Sequence, residues 1–133
     1  MANILEEIKQ NFKDGSYLTR LIYINAGVFL VVKLLSVILG ATGYSNIWIS
    51  YLELPAFLQT LIRQPWSIIT YMFMHHDFIH LIFNLLTLYW FGKIFVDYFN
   101  QKQLVGLYFL GGIGGAIFYL AAFNITNTLN ANI

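Results

Sequence analysis

The chain has no cysteine, only two prolines, and few charges: Lys, Arg, Asp and Glu together make up 10% of its 133 residues. Without cysteine there are no disulfides, no thiolate nucleophile and no thiolate ligand for a metal. Soluble domains carry about 25% charged residues, so this deficit argues against a surface that faces water on all sides. The formal net charge is +1 with histidine neutral, far from the basic footprint of a nucleic-acid-binding domain. The N-terminal stretch MANILEEIKQNFKDGSY mixes both signs and lacks the small-residue cleavage site of a secretory signal. No tandem repeat or low-complexity linker is present, and no glycine loop is followed by the Lys-Ser/Thr that a phosphate cradle needs.

What is present is apolar. Hydrophobic residues make up 59% of the chain and aromatics 18%, and three apolar runs approach the length needed to cross a bilayer. The expected fold is therefore an all-α polytopic membrane protein with spans at about 21–39, 78–98 and 104–123. Residues 1–20 read as a polar, weakly amphipathic helix on the cytoplasmic membrane surface, and residues 21–133 as the membrane domain. The first span carries Lys33, which is costly at mid-depth unless it snorkels or faces protein. Asn25 and Ser36 in the same span read as packing residues. Residues 40–77 hold Gly40, Gly43, Pro55 and Pro65 between apolar pieces, too broken to span and too apolar for a free loop. They are expected to form a membrane-embedded loop, with Trp48, Tyr51 and Trp66 at headgroup level. The tail from Asn124 is Asn-rich and uncharged. Lys9, Lys13, Arg20, Lys93 and Lys102 fall on one side of this arrangement and only Arg63 on the other, which puts the N-terminus in the cytoplasm.

The chemistry concentrates in His75-His76-Asp77-Phe78-Ile79-His80-Leu81-Ile82-Phe83-Asn84. His80 and Asn84 stand one turn apart, on one face of an otherwise apolar helix. An ionisable group at membrane depth is a functional-site candidate by default. Imidazole N–H and carboxamide NH₂ both donate, and two donors aimed at one point can hold an oxyanion. The competing readings are a metal shared by His76 and His80, and histidines at the water boundary capping the helix start with Asp77. Zinc or iron would need further ligands, and Asp77 is the only nearby carboxylate. Gly111 and Gly115, in the cluster that also holds Gly106, Gly112 and Gly114, read as a small face for a neighbouring helix.

These features together resemble the N-terminal half of a rhomboid intramembrane serine protease over roughly residues 20–125. A first span leads through a long half-buried connection to Gln64-Pro65-Trp66. Pro65-Trp66-Ser67-Ile68-Ile69-Thr70-Tyr71-Met72-Phe73-Met74-His75 then precedes His80-Leu81-Ile82-Phe83-Asn84, with Gly92 near the end of that span and a glycine-rich third span beyond. The resemblance implies half of a six-helix core, oxyanion stabilisation by His80 and Asn84, support from His75, and a lateral brace formed by the embedded loop. It also implies a transmembrane protein substrate in a bacterial inner membrane, and no cofactor or metal. The family's nucleophilic serine lies in a Gly-x-Ser-Gly-like motif of the fourth span and its base is a histidine of the sixth. Here no serine is glycine-flanked in that way and no histidine follows His80, so these 133 residues alone are expected to be inactive. The family's Trp-Arg pair reads Trp66-Ser67. A non-catalytic, client-binding relative of these proteases and a metal-dependent membrane enzyme are the alternative functions.

Overall fold

The computed structural model describes residues 2–43 and 46–132, and among these it holds helices and turns but no strand. Tyr44 and Ser45, within the expected embedded loop, lie outside the described residues, as does Ile133. Three helices are long and apolar enough to cross a membrane: α2 (Tyr17–Ala41), α5 (Phe78–Tyr98) and α6 (Gln101–Ala131). A short α1 (Ala2–Asp14) precedes them. Between α2 and α5 come a 3₁₀ turn at Asn46–Tyr51, α3 (Leu58–Arg63), α4 (Ser67–Thr70) and a second 3₁₀ turn at Tyr71–Phe73.

The helix boundaries follow from local chemistry. Ser16 Oγ accepts the Thr19 amide at 3.2 Å as α2 begins. Asp77 is the N-cap of α5, its carboxylate accepting the His80 amide at 2.7 Å. Asn100 and Gln103 exchange side-chain-to-amide bonds of 2.8 and 3.0 Å, a reciprocal cap that opens α6. Past the end of α2, Gly43 takes φ +86°, a left-handed conformation that glycine adopts without strain. The long helices leave large apolar side chains uncovered, among them Val37 at 70%, Leu110 at 70% and Phe118 at 77% exposure. Lipid covers such surfaces where water would not.

The described residues divide into two compact units. One combines the chain through Val32 with His75–Leu107. Within it α2 and α5 approach closely at Gly92, where a Cβ would lie 2.6 Å from Leu18 Cδ1. Leu18, Leu21, Leu81 and Leu104 form its buried apolar residues, and Phe29 meets Phe78 at 6.5 Å between ring centroids. Asn25 is buried at 1% exposure, and its carboxamide donates to the Leu21 carbonyl at 2.8 Å, so it is satisfied within its own helix.

The other unit combines the described residues of Lys33–Met74 with α6 from Tyr108 onward. Its core is a set of side-chain clamps on backbone carbonyls. Gln64 Nε2 donates to the carbonyls of Ser50 (3.1 Å) and Glu53 (3.2 Å), Trp66 Nε1 to Tyr51 (2.8 Å), and Thr70 Oγ1 to Leu52 (2.7 Å). Ser67, fully buried, donates its hydroxyl to the Gln64 carbonyl at 2.7 Å. Trp66, expected simply as a headgroup anchor, is therefore also a structural donor.

α6 differs from expectation in two ways. It runs on through the Asn-rich tail to Ala131, with Asn124 Nδ2 donating to the carbonyls of Leu120 (2.7 Å) and Ala56 (3.0 Å). An asparagine that bonds both its own helix and the facing segment has a reason to remain helical. Its glycines, moreover, receive the connection and not a second long helix. Met72 packs directly over Gly112, the Tyr71 hydroxyl donates to the Gly112 carbonyl, and Tyr71 Oη lies 3.4 Å from where a Gly115 Cβ would be. Gly111 and Gly114 meet nothing within 4 Å. Of the expected pair, Gly115 faces the connection, and Gly112 rather than Gly111 is its partner there.

Candidate functional site: a histidine-backed asparagine on a membrane helix

The first unit assembles His75, His80 and Asn84. Met74 and Asp77 have extended backbones, so a short non-helical stretch joins the 3₁₀ turn to α5. That stretch carries His75 against the second turn of α5. Asn84 Nδ2 lies 2.6 Å from His75 Nε2. A carboxamide nitrogen has no lone pair to offer, so in this arrangement Asn84 donates and His75 Nε2 accepts. The His75 and His80 rings meet edge-to-face, centroids 5.4 Å apart and planes at 75°.

Burial separates these residues. His75 is 7% exposed, whereas His80 and Asn84 stand on the uncovered face of α5. The bond to His75 uses one of the two N–H groups of the Asn84 carboxamide. His80 is the third residue of α5, within the first turn where unpaired amides and the helix dipole favour negative charge.

Each residue singled out from the sequence has a definite place. His80 and Asn84 share one face at helical spacing, as expected. His75 is buried and bonded to Asn84. The nine-residue separation hid this contact from any reading by helical period. His76 is exposed and outside the cluster. Among the described residues no group of three His, Cys, Asp or Glu side chains is placed to hold a metal ion. Sequence reasoning also missed the polar clamp of Gln64, Ser67 and Thr70. Its visible signal was three polar residues at three-residue spacing in an apolar stretch.

A polytopic helical membrane protein with hydrogen-bond donors displayed on one transmembrane helix is the class these features define. The Rhomboid domain family model matches residues 62–128, which spans the clamp, the cluster and most of α6. The chain belongs to the rhomboid family. It is 31% identical over 111 residues to RHOMBOID-like protein 12, mitochondrial, and 28% identical over 102 residues to Rhomboid-like protein 16, chloroplastic, both of Arabidopsis thaliana. These alignments cover 84% and 77% of this chain but 30% of either relative, so the chain spans about a third of the length of the curated relatives it matches. No solved structure matches it.

Proposed function

We propose that the chain supplies the oxyanion-binding half of a rhomboid-type serine endopeptidase that cleaves transmembrane proteins. The observation that carries this reading is the Asn84–His75 bond, which fixes a carboxamide donor beside His80 on an open helix face. When a serine attacks a peptide carbonyl, the carbonyl oxygen gains negative charge. His80 and Asn84 would donate to that oxygen, and donors already in place need no reorganisation as the charge develops. His75 holds Asn84 and touches no substrate atom. The nucleophile and base would come from further spans, as in the family at large, and the embedded connection of residues 40–77 would brace the fold from the side.

The test is complementation. The 133 residues, joined to the later spans of an active family member, are expected to cleave a transmembrane reporter that neither part cleaves alone. Chimeras that are folded and membrane-inserted yet inactive, across several such donors, would favour the client-binding alternative.

We further propose that the N-terminus lies on the side that retains positive charge, which in a bacterial cell is the cytoplasm. Alkaline phosphatase fused after Gln101 is expected to be inactive and fused at Ile133 to be active. The reverse pattern would invert the topology.

A further inference from the structure

α1 and α2 meet at a built junction. Arg20 donates to the carbonyls of Phe12 (3.0 Å) and Lys13 (2.9 Å), closing the C-terminal end of α1. Its guanidinium also lies over the Phe12 and Tyr17 rings, 5.7 and 5.4 Å from their centroids. Beside this junction Ile8 and Phe12 of α1 and Tyr23 and Ile24 of α2 line an apolar groove of about 330 Å³, with Lys9 and Lys13 at its rim. On α1 the apolar stripe Ile4, Leu5, Ile8 and Phe12 has Lys9 and Lys13 along one border, with Glu6 beyond Lys13. Glu7 and Asp14 border the opposite side, where Asp14 accepts from Gln10 at 2.5 Å. Among the described residues no ion pair or hydrogen bond engages the ammonium of Lys9 or Lys13.

We propose that this groove binds one anionic phospholipid of the surrounding bilayer, its acyl chain along Phe12, Tyr23 and Ile24 and its phosphate between Lys9 and Lys13. Two features select that occupant. α2 begins at Tyr17, so the groove sits within two turns of the start of a membrane-crossing helix, at the depth where a headgroup gives way to its chains. Two unengaged ammoniums on consecutive turns match a phosphate diester and leave a zwitterionic headgroup with its own cation poorly placed. The site is independent of the proposed reaction and would stand if that reading failed.

Electron paramagnetic resonance on the full chain in phosphatidylcholine vesicles tests it, with chain-labelled phosphatidylglycerol and phosphatidylcholine as probes. The wild-type chain is expected to immobilise the anionic probe several-fold more strongly. A basic residue near a membrane surface contributes roughly a five-fold preference, so K9Q/K13Q should remove most of the selectivity, while K9R/K13R should keep it. K93Q/K102Q, which removes two charges elsewhere, should change it by less than about two-fold on the same scale. I24W, which fills the groove at a residue that is 40% exposed, should release the anionic probe with both lysines intact. Equal losses for the two lysine pairs would mean diffuse surface charge and overturn the proposal, as would a wild-type chain without preference or an unaffected I24W.

Discussion

In the complemented protease, Asn84→Ala is expected to lower turnover by about 10²–10³, the range observed when one oxyanion donor is removed, which corresponds to roughly 3–4 kcal/mol. His80→Ala should do the same, and the double replacement should cost less than the product, because both donors serve one charge. The proposed reading also gives His75, expected as a support, a measurable part. His75 reaches the substrate only through Asn84, so His75→Ala should lower turnover in the wild-type background and change little once Asn84 is already alanine. Independent effects of the two would separate His75 from Asn84 and remove the backing role given to it. His76→Ala, on an exposed residue outside the cluster, should be nearly silent, and chelators should leave the rate unchanged. Normal cleavage with both His80 and Asn84 replaced would reduce the pair to packing, whereas loss on chelation together with loss in His76→Ala would favour the metal reading.

The parts legible in the sequence were those governed by one period or one solvent. Long apolar runs fixed the membrane class, because backbone groups in lipid are satisfied only within helices or barrels. The four-residue step from His80 to Asn84 is enough by itself to put both on one helix face. Contacts that join an extended stretch to a helix follow no period, so His75 could be placed near the pair but not against Asn84. The same limit applies to the glycines of α6. Spacing alone showed that a close approach existed, but it did not tell Gly111 from Gly112, because the approaching group is Met72 from an irregular connection and not a helix with its own ridge. The clamp shows only its donor side in the sequence, at Gln64, Ser67 and Thr70, because its acceptors are main-chain carbonyls, which carry no sequence signal.

That clamp yields the second large effect. Four consecutive carbonyls, Ser50 to Glu53, are each taken by a side chain, with Gln64 alone serving the first and the last. Gln64 is 6% exposed, so water cannot readily replace its carboxamide. Gln64→Ala therefore removes two bonds, at a cost of about 2 kcal/mol if each loss is near the usual net value. Two kilocalories correspond to roughly a thirty-fold larger open population of the connection. The cysteine-free chain makes this measurable, since Ile49→Cys, on a half-buried residue of the clamped 3₁₀ turn, would be the only thiol. In the Gln64→Ala background its maleimide labelling should accelerate by about that thirty-fold factor. Thr70→Val, which removes one bond, should accelerate it less, by roughly three- to ten-fold. Labelling that is fast already in the parent, and indifferent to Gln64, would mean that the connection opens without breaking the clamp. The proposed lateral brace would then have to be held by the α6 contacts of Tyr71, Met72 and Ala56 instead.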